Sequence, residues 1–84
     1  NLHSKIFVQI FEMGMDYQEE IRYISTRIKE LRKERMLTVQ ELAYRCDMER
    51  SNLSRIEAGR TNLTVRTMCI ICNALNVNLR DVIR

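Results

Sequence analysis

LTVQELAYRCDMERSNLSRIEAG, residues 37–59, holds two short apolar patterns with a tight corner between them. Thr38 is followed three residues later by Glu41. That spacing is a capping box, in which hydroxyl and carboxylate each satisfy a backbone N–H at the start of a helix. The helix it opens buries Leu42, Ala43 and Cys46. Asp47 then stands at a turn, where its short polar side chain tolerates the left-handed conformation better than most. A second short helix runs from about Arg50 to Ala58 and stops at Gly59, a good residue for a left-handed exit. Leu53 and Ile56 are its inward positions, which leaves Arg50, Ser51, Asn52 and Arg55 on its other faces. Only about three residues separate the two helices, and amphipathic helices so joined must cross steeply.

The flanks extend the same pattern. In IRYISTRIKELRKER, residues 21–35, Ile21, Ile24, Ile28 and Leu31 form one apolar stripe at helical spacing. Thr64 caps a further helix, with Val65, Met68, Ile71, Cys72 and Leu75 apolar and Asn76 at its end. Asn78 with Asp81 three residues on resembles another capping arrangement, opening a last short helix in LRDVIR. The chain has no proline and only Gly14 and Gly59, too few turn residues for a β-rich fold of 84 residues. The expectation is an all-α, compact five-helix domain over residues 21–84, with the two central helices forming a helix-turn-helix and residues 1–20 an N-terminal extension.

Charge is distributed unevenly. Residues 21–84 carry 13 of the 14 bases and 7 of the 11 acids, and 11 of those bases lie between Arg22 and Arg66. A basic domain of this size points to a polyanion, nucleic acid first. A merely cationic soluble surface would look the same by charge alone. The three cysteines read as reduced thiols of a cytoplasmic protein, and no apolar run reaches the roughly 20 residues of a membrane span. The sequence opens on Asn1 rather than Met, as a trimmed or processed product would.

Residues 37–75 resemble the DNA-binding domain of the lambda-repressor/Cro-like family, also called the xenobiotic-response-element family. The residues that carry the resemblance are Leu37-Thr38, Glu41-Leu42-Ala43, Ser51, Leu53-Ser54-Arg55-Ile56-Glu57, Gly59, Asn62, Thr67 and Leu75. Ile28, Leu31 and Arg32 match the family's first helix, so the likeness covers roughly residues 21–83. It implies a dimer on a pseudo-palindromic operator, with helix 50–58 in the major groove. Carried over, Arg50, Ser51, Asn52 and Arg55 are the base-contacting residues. Arginine can hold guanine O6 and N7 with two parallel hydrogen bonds, and Ser and Asn can reach base edges. Phosphate contacts fall to Thr38, Gln40, Arg60, Asn62 and Arg66. Arg32 and Glu57 occupy positions where the family often has a buried ion pair, which makes Glu57 a scaffold residue. Four positions depart from the family pattern: Val39 replaces a phosphate-contacting glutamine, Asp47 and Met36 replace turn glycines, and Leu63 replaces a proline.

The function expected is a sequence-specific double-stranded-DNA-binding transcriptional regulator, a repressor that occludes promoter DNA, working as a homodimer. The alternatives are the antitoxin of a toxin–antitoxin pair, with a protein partner, or a protein–protein adaptor on the same fold. No enzyme, cofactor or metal site is expected. His3 has no catalytic companions, and no paired carboxylates or glycine-rich phosphate loop occur. Cys69-Ile-Ile-Cys72 spells C-x-x-C, but on a helix these cysteines read as small core residues. KIFVQIFEMGMDY, residues 5–17, reads equally as an extension packed on its own domain or as a dimerisation arm. Glu49 stands where an N-cap Ser or Thr would be usual, and pairing with Arg45 or Arg50 is the favoured role.

Overall fold

The computed structural model describes residues 14–84. It contains four α-helices, α1 (Tyr17–Glu34), α2 (Val39–Arg45), α3 (Arg50–Glu57) and α4 (Val65–Leu75), followed by a 3-10 turn, Leu79–Asp81. The all-helical class is as expected, and no strand occurs among the described residues. His3 and most of the 5–17 segment lie outside the described residues.

Two elements differ from expectation. The helix expected from Ile21 already begins at Tyr17, because the Asp16 carboxylate caps it by accepting the Gln18 N–H at 2.9 Å. α1 therefore runs through residue 20, where the extension was expected to end. At the other end, LRDVIR makes no fifth α-helix. The pattern that begins at Asn78 starts as expected, with the Asp81 carboxylate accepting the Asn78 N–H at 2.8 Å. The Asp81 carbonyl is then taken by Arg27 Nε of α1 at 2.8 Å, and Val82 is completely buried. These tertiary contacts pin the chain after one tight turn, and the β-branched pair Val82-Ile83 adds little helix preference to resist them.

The core forms where the apolar stripes meet. Ile28 and Leu31 of α1, Leu42 of α2, Leu53 and Ile56 of α3, and Ile71 and Leu75 of α4 pack with Val82 into one cluster. Burying each such side chain contributes about 1.5–3 kcal/mol. Cys46 and Cys72 belong to the same cluster as free thiols, and burial pushes both thiol pKa values up. The C-x-x-C pair thus sits on α4, with Cys72 buried and Cys69 half-buried.

Each helix leaves through a left-handed residue: Met36 (φ 57°), Asp47 (φ 53°), Gly59 (φ 74°) and Asn76 (φ 58°). In every case the next N–H reaches back to a carbonyl five residues earlier: Leu37 to Arg32, Met48 to Ala43, Arg60 to Arg55 and Val77 to Cys72. This closure satisfies the last carbonyls of a helix. Glycine, Asn and Asp suit it; methionine does not, because its Cβ crowds the backbone there.

Met36 is also 89% exposed, so its side chain buries almost nothing that would be lost on truncation. Met36→Gly is expected to raise stability by about 0.5–1 kcal/mol, once the entropy cost of glycine is set against the relieved strain. An unchanged or lower denaturant midpoint would contradict this.

Candidate nucleic-acid interface

The site begins with a nearly buried ion pair. Arg32 of α1 donates from Nε and one Nη to the Glu57 carboxylate of α3, at 2.7 and 2.9 Å. Its other Nη donates to the Leu37 carbonyl at 2.7 Å. The two side chains are only 9% and 6% exposed. The hydrogen bonds from Arg32 to Glu57 hold the Arg32 pKa above its ordinary value against the opposing effect of burial. One guanidinium thus links α1, the turn into α2, and the end of α3.

α2 starts as its sequence dictates. Thr38 Oγ1 accepts the Glu41 N–H at 3.1 Å, and the Glu41 carboxylate accepts the Thr38 N–H at 3.0 Å. The bond from the Thr38 backbone lowers the Glu41 pKa. α2 and α3 then pack against each other.

α3 turns Leu53 and Ile56 into the core, while Arg50, Ser51, Asn52 and Arg55 are all exposed. At 3.6 residues per turn, Ser51 and Arg55 lie opposite the buried pair, with Arg50 and Asn52 flanking them. Ser54, expected only as part of the family likeness, is exposed on the same outer surface. Its signal was available: it is neither apolar nor on the Leu53–Ile56 stripe. Arg55 donates from Nη2 to Asn52 Oδ1 at 2.6 Å, one turn back on the helix.

Glu49 behaves differently from expectation. It is the N-cap of α3 but makes no side-chain capping bond, and no ion pair with Arg45 or Arg50 lies within 4.0 Å among the described residues. Both arginines are exposed, and bulk water solvates their charges at no cost in side-chain order. Glu49 remains as a charge favourable to the α3 dipole.

The residues expected to meet phosphate fall into three groups. Thr38 and Gln40 share a groove on α2 with Tyr44 and Arg45, and Tyr44 is 86% exposed there. Asn62, in the loop after α3, lines a cleft with Asn52 and Arg55. Arg60 lies in a second cleft, also reached by Asn62. Arg66 is exposed in the first turn of α4 and lines neither cleft, nor do Arg50 and Ser51. Val39, in place of the family's glutamine, is half-buried against the core.

A short capped helix, a left-handed corner and a second helix with a polar outer face define a class: a lambda-repressor/Cro-like helix-turn-helix DNA-binding domain. The chain belongs to the helix-turn-helix family HTH_3, whose model matches residues 28–82. It is 35% identical over 60 residues to the immunity repressor protein of Bacillus phage phi105, over 71% of this chain and 42% of that protein. The chain thus spans about two-fifths of that relative's length. The restriction-modification controller protein C.Esp1396I, solved as a tetramer with its natural 35 base-pair operator, is 33% identical with a TM-score of 0.67, over 69% of this chain and 76% of that one. The controller protein C.AhdI from Aeromonas hydrophila has the same fold, with a TM-score of 0.73 at 23% identity, over 76% of this chain and 97% of that one.

Glu57→Ala strands the Arg32 charge in a nearly dry site and is expected to cost about 3–5 kcal/mol. A thermal melt of the variant that coincides with wild type would show that the pair holds nothing. Because the Glu41 pKa is lowered on folding, its contribution is complete above the ordinary carboxylate range and disappears as pH falls through the lowered value. Glu41→Gln should therefore flatten the acid side of a melting-temperature profile, with a smaller difference from wild type at acid pH than at neutral pH.

Proposed function

We propose that this protein is a sequence-specific regulator of transcription, acting as a repressor, that reads the major groove of double-stranded DNA with α3. The observation that carries this reading is the division of α3 itself. Its inner side is anchored by Leu53, Ile56 and the Arg32–Glu57 pair, and its outer side presents Arg50, Ser51, Asn52 and Arg55 to solvent.

The chemistry follows from those groups. Arg55 and Arg50 offer the forked donors that match guanine O6 and N7. Ser51 and Asn52 reach the neighbouring edges. Thr38, Gln40, Arg60, Asn62 and Arg66 hold the phosphates on either side, which sets the depth and register of α3 without reading sequence. The protein acts as a homodimer in the cytoplasm, placing two copies of α3 about 34 Å apart on a pseudo-palindromic operator. Bound there, it blocks promoter access and catalyses nothing. The name of the phage immunity repressor and the operator complex of C.Esp1396I both support this reading.

Selection of bound sequences from a random duplex pool tests the proposal, and a recovered inverted repeat is the expected result. On that operator, Arg55→Ala should weaken binding by about 1–3 kcal/mol and relax preference at one base pair. Equal affinity and equal base preference in wild type and variant would remove Arg55 from the reading set. Failure to bind any duplex at low salt would favour the protein–protein adaptor instead.

A further inference from the structure

Arg22 lies on α1 before the segment that matches the family, yet it is seated beside the loop that follows α3. A Cβ placed on Gly59 would stand 3.7 Å from Arg22 Cγ and 4.0 Å from its Cα. The aliphatic stem of Arg22 therefore runs along the left-handed exit of α3. Tyr17, Gln18 and Arg22 form one wall of a cleft whose other wall is Gly59, Arg60 and Asn62. Among the described residues, none that lines it is acidic. Two arginines and two amide-bearing residues thus line one opening, a surface rich in donor residues with no counter-charge of its own among the described residues.

The acids nearby among the described residues do not supply one. Asp16 caps α1, and Glu20 is paired with Arg84 at 3.3 Å. Glu19 is exposed one turn before Arg22, with no ion pair between them within 4.0 Å. The cleft adjoins the proposed base-reading face, since Asn62 lines both this opening and the one containing Asn52 and Arg55.

From this placement we propose that Arg22 is a DNA-backbone contact, and that with Arg60 it holds a phosphodiester beyond the edge of the α3 footprint. The inference rests on the DNA-binding reading above. It makes the added first turns of α1 part of the interface rather than a passive extension. A phosphate contact carries no base information, so its effect is the same on operator and random DNA. Each phosphate neutralised on B-DNA adds about 0.9 to the slope of log affinity against log salt.

The test is titration of a fluorescent random-sequence duplex and of the selected operator across a series of NaCl concentrations. Arg22→Met keeps the stem against Gly59 and removes the charge. It should lower the slope by about 0.9 and weaken binding to both duplexes equally. Arg22→Lys should retain most of the slope. Lys29→Ala, an exposed base on the same helix that does not line the cleft, should leave it unchanged. Coincident melting curves for wild type and Arg22→Met confirm that folding is not being measured. A wild-type slope retained by Arg22→Met overturns the Arg22 contact alone. A wild type that binds neither duplex overturns the DNA reading and this inference together.

Discussion

The arrangement of the domain depends on one guanidinium. Arg32 has its donors committed to a carboxylate on α3 and to the carbonyl of Leu37 at the entry to α2. Burying an arginine without such partners would be prohibitive, so the geometry must be nearly complete or the helices must separate. That demand fixes where α3 ends relative to α1. Glu57 lies on the inner side of the last turn of α3, two residues from the exposed Arg55. Holding the one sets the direction of the other. A hydrophobic contact at Glu57 could bury as much surface, but it would tolerate rotation of α3 about its axis, which hydrogen bonds from a planar fork do not.

The helices on which this pair acts are short. α2 has 7 residues and α3 has 8, below the length at which an isolated helix is stable in water. They persist because each buries a stripe and is closed at its C-terminal end, α2 also at its N-terminal end by Thr38 and Glu41. Four left-handed exits turn the chain sharply enough for the next stripe to face the same core. Ser25 completes the fit at one of them. It is buried, its Oγ has no partner among the described residues, and it lies 3.8 Å from where a Cβ on Gly59 would stand. Its small size lets the end of α3 approach α1, at the cost of one unsatisfied hydroxyl.

Much of this is legible in the residues because local signals and core stripes agree. Thr38 with Glu41, Asp47, Thr64 and Asn76 each mark a boundary that the structure contains. The start of α1 falls earlier than expected, although Asp16-Tyr17-Gln18-Glu19 has the form of a helix opening, because the apolar stripe announces itself only from Ile21. The final turn falls short for the opposite reason. Its capping pair is genuine, but the fate of the next residues is decided by Arg27 and by burial of Val82, neither of which is local. Glu49 shows the same limit at the interface. Sequence neighbours of opposite charge are close enough to pair, and solvent competes successfully for exposed groups. The proximity of Arg22 to Gly59 joins residues far apart in the chain and has no local signature at all.

The bond between Arg55 and Asn52 gives the proposed reading face a chemical bias that neither residue has alone. A guanidinium only donates, so the Asn52 amide must turn its oxygen toward Arg55. Its NH2 group is left to face away. An asparagine with both ends free can grip adenine through N6 and N7, one bond accepted and one donated. With one of its oxygen's two lone pairs taken, Asn52 keeps both amide donors for a partner that accepts, such as guanine, the thymine O4 or a phosphate. Arg55 is braced in return, which would reduce the side-chain freedom lost in the proposed docking. Arg50 has no ion pair within 4.0 Å among the described residues and remains the more adaptable arginine. α3 thus presents one pre-set arginine and one free one. Under the proposed reading, the Asn52–Arg55 end suits acceptor-rich base edges, while the Arg50 end can adjust to the site it meets.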